Sequence, residues 1–292
     1  MVNEIQVKSI LNKHKKRDDW FLDDYSINPY SGCSFNCVYC YTLGSKYGTH
    51  LAKTLSVKVN APELLTKALS RRARKREYGI ICMASLEGYI PIEKEVKMTR
   101  RLLEIILRYR FPVHIGTKST LILRDLDVLK EIDRRAILPE DLRQKLGRGV
   151  IISFSFSTLD ERLAKIFEPG APTPRERLET MRECKREGFL VGANLIPVLP
   201  FLSDSEERLE EMIKTAKDYG ADFVLVGSLT LYSEGKELFY RTLERHLPEL
   251  VPKYRSLFRV FFAPPKEYQR EIEARARRAC EKYGIRHGIL QS

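Results

Sequence analysis

Three thiols stand within eight residues in NPYSGCSFNCVYCYT (residues 28–42): Cys33, Cys37 and Cys40. Cysteines at C-x3-C-x2-C spacing on one loop can turn toward a common centre and bind metal as thiolates. The intervening residues suit such a loop, because Gly32 and Asn36 tolerate unusual backbone angles and Ser34 is small. Structural zinc is nearly always closed by four protein ligands, so a zinc site would need a fourth from His50, Cys82 or another residue. Iron–sulfur cubanes normally take four cysteines as well. With three, one iron keeps an open coordination position that a substrate can occupy. The spacing alone leaves both metals open.

Such a loop needs strands whose ends converge on it. From about Tyr25 to Gly227, short apolar runs alternate with amphipathic stretches. The strand candidates are YSINP from Tyr25, GIICMA (79–84), VHIGT (113–117), VIISFSF (150–156), LVGANLI (190–196) and FVLVG (223–227). Spacing of the 3.6 type predicts helices over 62–76, with Asn60 as cap, and over 97–109, 126–135, 174–187 and 206–219. Repeated βα units give a parallel sheet covered by helices, either doubly wound or a partial barrel. Residues 134–149 read as a surface elaboration, 257–265 as a final strand and 266–283 as a terminal helix.

Alternation along VIISFSFST puts Val150, Ile152, Phe154 and Phe156 on one face and Ile151, Ser153, Ser155 and Ser157 on the other. Barrel interiors usually hold bulky branched side chains, so three serines on one face predict room for a polar ligand. Polar residues also gather where the other strands end: Ser85 and Glu87, then Thr117, Lys118 and Ser119, then Asn194. Parallel α/β folds assemble active sites at these C-terminal ends, which points to an enzyme.

Composition narrows the setting. The 292 residues, 43% hydrophobic and 31% charged, describe an ordinary globular chain. No apolar run reaches the roughly 18 residues of a membrane helix. The N-terminus lacks an apolar signal core, and the six cysteines are scattered outside the one cluster. A cytoplasmic protein with reduced thiols is therefore expected. Lys and Arg number 51 against 39 Asp and Glu, with basic runs at 13–17, 71–76 and 275–278. The excess favours a polyanionic partner, nucleic acid first; a highly charged solvated surface would give the same count.

The cysteine motif, with Tyr39 before its last cysteine, resembles that of the radical S-adenosylmethionine (SAM) enzymes. Together with YIPIEK, GTKS, STLDE and EPGAPTPRERL downstream, it is similar to their spore photoproduct lyase-like branch, over about two thirds of the chain. The resemblance implies a partial (β/α)6 TIM-type barrel over residues 25–230. A basic segment, 1–24, would precede it, and a C-terminal extension, 231–292, would pack on it. It implies a 4Fe-4S cluster on Cys33, Cys37 and Cys40, with SAM on the open iron and an external one-electron donor such as ferredoxin or flavodoxin.

By the same resemblance, Tyr39 packs against adenine, Ser85 and Glu87 lie near the SAM amino group, and Lys118 pairs with its carboxylate. Ser155 and Asn194 are further SAM contacts. Cys82 and Tyr41 are candidates for returning hydrogen to a substrate radical. Two departures stand out: EGYI (87–90) replaces the Asp-Pro-Tyr-Gln frequent in relatives, and Cys82 is displaced in sequence from the lyase's donor cysteine. The implied substrate is a damaged or modified nucleic-acid base. A peptide or small-molecule substrate, or a zinc-stabilised binding protein without activity, are the alternatives.

Overall fold

The structure, a computed structural model, describes residues 2–43, 55–259 and 262–290; His50, the possible fourth ligand, lies outside them. In chain order the strands are β1 (Asn3–Ile5), β2 (Asn12–Lys13), β3 (Tyr25–Ser26), β4 (Tyr30–Ser31), β5 (Ser56–Lys58), β6 (Ile81–Met83) and β7 (Val113–Thr117). β8 (Val150–Ser155), β9 (Leu190–Val198), β10 (Phe223–Ser228) and β11 (Arg286–His287) follow. The helices are α1 (Ala61–Arg74), α2 (Glu93–Val96), α3 (Met98–Tyr109), α4 (Leu126–Arg135), α5 (Glu140–Leu146) and α6 (Glu161–Phe167). Then come α7 (Pro174–Arg186), α8 (Glu206–Asp218), α9 (Ser233–His246), α10 (Val251–Leu257) and α11 (Lys266–Tyr283).

The main sheet runs β11-β10-β9-β8-β7-β6-β3-β2 and is parallel except for β2. β3, β6, β7, β8, β9 and β10 follow one another in both sequence and space, the α/β partial barrel expected from the βα pattern. Among the described residues the sheet does not close. β1, β5 and β4 form a separate small sheet. Asn60 sits at the α1 cap position, but its amide spans the Val7 backbone instead, accepting from N at 3.0 Å and donating to O at 2.9 Å. The side chain thus secures the N-terminal segment rather than the helix.

Alternation divides the sheet by chemistry. One face of β8, Val150, Ile152, Phe154 and Phe156, joins Ile81, Ile115 and Val191 beneath the helices. Leu65 and Leu69 of α1 and Leu102, Leu103 and Ile106 of α3 complete this core, each such side chain contributing about 1.5–3 kcal/mol by burial. On the inner face, Ile80, Ile151, Leu190 and Phe223 pack with Leu22, Leu142 and Ile289 near the strand starts. The final strand expected over 257–265 is not found among its described residues: Leu257 ends α10, Phe258 is its C-cap, and 260–261 lie outside the description. The last strand is instead β11, beside β10.

Above that apolar layer the inner face turns polar. His114 Nδ1 lies 2.9 Å from the Phe21 carbonyl, which can only accept, so Nδ1 carries the proton. His114 Nε2 then accepts from the Ser153 hydroxyl at 2.8 Å, and Ser153 Oγ accepts from Asn194 Nδ2 at 2.8 Å. Burial holds His114 neutral, lowering its pKa from 6.5 to about 4. Only one nitrogen therefore donates, and the chain of bonds has a single direction. It ends at Asn194 Oδ1, a buried acceptor with no protein partner.

A pH dependence follows. Between pH 6.5 and about 4 the unfolded chain protonates His114 while the folded chain does not, so stability falls as pH drops through that window. The difference is about 3 kcal/mol at its fullest. Chemical denaturation between pH 7 and pH 4 should show this slope in the wild type and a flatter one in His114→Gln.

Candidate functional site

Residues 27–43 leave β3 and cross the C-terminal end of the sheet. Gly32 at φ +87° and Asn36 at φ +51° supply the left-handed turns expected of the loop. Cys33, Cys37 and Cys40 are free thiols and line one wall of a cavity of about 310 Å3. Burial, then the charge of Glu87, pushes the Cys33 thiol up to about 12; burial does the same for Cys37, against Lys118. Metal binding must therefore displace thiol protons.

The loop is seated from two directions. On one side, Val38 N donates to Phe167 O at 2.9 Å and Gly170 N to Phe35 O at 3.0 Å. A Cβ on Gly170 would lie 2.4 Å from the Ser34 carbonyl oxygen, so only glycine permits this approach. On the other side, Gly235 in α9 comes so near that a Cβ would be 3.1 Å from the Leu43 carbonyl oxygen. Phe239 and Leu243 of α9 pack with Tyr254, Phe167, Val38 and Tyr39 beneath the loop.

Glu168 locks the arrangement. Its buried carboxylate accepts from Tyr39 Oη, from Ser157 Oγ at 2.8 Å and from Arg177 Nη2. Burial drives this carboxyl's pKa up, but Arg177, then Lys118, outweigh it and hold Glu168 below the usual carboxylate range. Arg177, also buried, donates to Pro172 O and Ser155 O, each at 2.8 Å. One ion pair thus joins the end of β8, the turn before α7 and the cysteine loop. The α7 start is fixed by a capping box between Thr173 and Glu176.

The other expected residues converge on the same cavity: Tyr39, Tyr41, Cys82, Ser85, Glu87, Lys118, Ser155 and Asn194 all line it. Glu87 is more engaged than expected, accepting from Thr117 Oγ1 at 2.6 Å, Lys118 N at 2.9 Å and Tyr89 N at 3.0 Å. It braces the Lys118 loop as well as facing the cavity. Lys118 Nζ is 5.8 Å from the centroid of the Tyr39 ring. Tyr41 donates to the Ser85 carbonyl at 2.9 Å and leaves its ring exposed at the mouth. Cys82 is buried; burial, then Asp23, raises its pKa well above the ordinary value, so it is a neutral thiol.

The three-serine expectation needs correction. Ser153 is spent on His114 and Asn194 and Ser157 on Glu168, leaving Ser155 to line the cavity. Sequence reasoning assigned no role to Glu168, Arg177, Asp23 or His114. The first two lie within the quoted EPGAPTPRERL, the one signal available.

Among the described residues no set of three or more His, Cys, Asp or Glu side chains converges to hold a metal ion. A multinuclear centre, which binds each sulfur at a separate corner, does not require such convergence. Three free thiols, an adjoining cation on Lys118 and the unpartnered Asn194 Oδ1 fit an iron–sulfur cluster together with a zwitterionic, hydroxyl-bearing ligand.

The Radical SAM superfamily profile matches residues 27–213. An uncharacterized protein of Mycobacterium tuberculosis is 28% identical over 267 residues, covering 89% of this chain and 75% of the relative. A radical SAM Nalpha-GlyT isomerase of Pseudomonas phage M6 is 22% identical, covering 79% of this chain and 45% of that protein. Among solved structures, a spore photoproduct lyase variant with bound AdoMet and dinucleoside spore photoproduct superposes at a TM-score of 0.70. It has 16% identity and covers 97% of this chain and 79% of that one. At that identity the likeness is one of fold.

The Glu168 lock is open to test. Glu168→Ala strands the buried Arg177 charge and should cost about 3–5 kcal/mol. Tyr39→Phe, which removes one bond to a charged group, should cost about 1.5–3 kcal/mol. In both variants a disulfide reagent should modify Cys37 at least about tenfold faster than in the wild type. Unchanged thiol rates would show that the loop is seated without Glu168.

Proposed function

The chain belongs to the radical SAM superfamily, and we propose that it applies this chemistry to a base of a nucleic acid. As a radical SAM enzyme it uses a 4Fe-4S cluster and SAM, which sets aside the reading as a zinc-stabilised protein without activity. When bound, the cluster supplies the electron that splits SAM into methionine and a 5′-deoxyadenosyl radical able to abstract hydrogen from a substrate.

The single observation that carries the site assignment is that three thiols line one cavity together with Lys118, Ser155 and Asn194. Cys33, Cys37 and Cys40 hold three irons and leave the fourth for SAM. Lys118 pairs with the SAM carboxylate through a charge-assisted bond. Ser85 and Glu87 face its amino group, and Asn194 Oδ1, fixed as an acceptor by His114 and Ser153, takes a hydroxyl or amine of the ligand. Tyr39 gives the adenine an apolar wall. Cys82, a thiol lining the cavity, would return hydrogen to a substrate radical, with Tyr41 as a second hydrogen carrier.

The substrate class rests on the basic excess and on the fold shared with solved structures whose titles refer to a dinucleoside photoproduct. A base within a duplex would have to be flipped outward to reach the cavity.

Anaerobic cluster reconstitution followed by reduction with SAM should release 5′-deoxyadenosine. Cys33→Ala, Cys37→Ala and Cys40→Ala should each bring it to background. Lys118→Ala should raise the SAM concentration for half-maximal release about tenfold or more. Equal release from wild type and cysteine variants would overturn the cluster assignment. Nucleic-acid binding should weaken steeply with salt; a peptide bound in place of DNA and RNA would overturn the substrate class.

A further inference from the structure

The cavity is lined also by two residues that precede β3, Phe21 and Asp23. Asp23 lies there, more than nine-tenths buried, lining the cavity beside Phe21 and Cys82. Its Oδ2 is 3.3 Å from His14 Nδ1, and His14 Nε2 is 3.2 Å from Ser26 Oγ. Its Oδ1 has no hydrogen-bond partner. A buried carboxylate oxygen without a donor is destabilising unless something else supplies one. The carboxylate is held by one oxygen and offers the other.

The same two residues, Phe21 and Asp23, also line a recess on the outer surface, together with His14, Lys16, Arg17, Asp18 and Asp19; there Lys16 pairs with Asp19, and Arg17 with Asp24 and Asp141. One wall therefore separates the cavity from an outer face of mixed charge, and Lys13 and Lys15, close by in sequence, are exposed. The segment is tightly made: Asp18 Oδ1 accepts from Trp20 N at 2.9 Å and Phe21 N at 2.7 Å, and Leu22 N donates to Asp18 O at 2.9 Å. Trp20 reaches the other edge of the barrel, where a Cβ on Gly227 of β10 would lie 3.0 Å from the indole. Residues 18–23 thus span the gap between the first and last barrel strands.

We propose that Asp23 is the cavity's substrate-recognition residue, accepting an N–H donor from the edge of a nucleobase while the exposed Lys13 and Lys15 meet the backbone phosphates. This rests on the nucleic-acid reading above. A cationic amine fits less well, since the chain carries a net charge of +12. His14 Nδ1 already lies against Oδ2, which leaves Oδ1 as an acceptor suited to an N–H donor. Phe21 provides a flat apolar surface beside it, on which a base can rest.

The test uses anaerobically reconstituted protein with SAM and short single-stranded oligonucleotides, read by fluorescence anisotropy. Each natural base at one central position is compared with its donor-blocked form: 3-methylthymine, N1,N2,N2-trimethylguanine, N4,N4-dimethylcytosine or N6,N6-dimethyladenine. At least one natural base should bind about tenfold or more tightly than its blocked form. That ratio should fall to about one in Asp23→Ala, with the salt dependence kept. Asp23→Asn, isosteric and able to fold where the alanine variant does not, should reduce the ratio as well. Salt-dependent binding without any blocked-base discrimination, or discrimination that persists in both variants, overturns the role of Asp23 alone. Absence of binding to every oligonucleotide overturns this inference together with the nucleic-acid reading.

Discussion

A carboxylate and a guanidinium withdrawn together from water hold the functional end of this molecule. Glu168 and Arg177 are each about 1% exposed at the side chain, and isolating either charge there would be costly. Their pairing is tolerable because both groups have further partners: Tyr39 and Ser157 on the acid, Pro172 O and Ser155 O on the base. Those four partners belong to three separate segments. Satisfying the pair therefore fixes where the cysteine loop lies relative to the end of β8.

The barrel contributes the second constraint, that of an open sheet with two unlike faces. Helices cover the outer face with an apolar core, while the inner face grades from an apolar layer at the strand starts to a polar one near their ends. His114 governs that transition. Its single proton orders the hydroxyl of Ser153 and the amide of Asn194, so an amide that would otherwise be free to turn presents only its oxygen. Neutrality of one buried imidazole thereby sets the polarity of a ligand contact two side chains away.

Much of this was legible from residues alone. The six barrel strands and α1, α3, α4, α7 and α8 follow from periodicity, and α4 and α11 occupy the expected ranges. By contrast, α2, α5 and α6 were not foreseen; α5 lies in 134–149, read as a surface elaboration, yet its Leu142 is buried with Ile151 and Phe223. Gly32 and Asn36 adopt the backbone angles their types allow. The alternation of β8 was read with the right residues on each face. What the serines do there was misread, because alternation gives a direction and not a partner. Ser153 meets an imidazole from β7 and Ser157 an acid from the turn after α6. Asn60 was placed at its helix end, yet its amide turned to Val7, a partner more than fifty residues away in sequence. Asp23 and His114 carried no local signal at all, since their meaning depends on strands brought together by the fold. The final strand was put on an apolar run, 257–265, whose described residues finish a helix or form bends, while the short β11 drew no notice.

The close fit of Gly235 against Leu43 and Cys40 has a consequence for how the protein is made. Synthesis proceeds from the N-terminus, so the three cysteines emerge long before the helix that underlies them. Glu168 and Arg177 follow well downstream, and α9 later still. A nascent chain therefore carries its thiols unseated until these segments have been made. Their pocket is completed only when α9 packs beneath the loop, so an unfolded α9 leaves the three thiols without one of their supports.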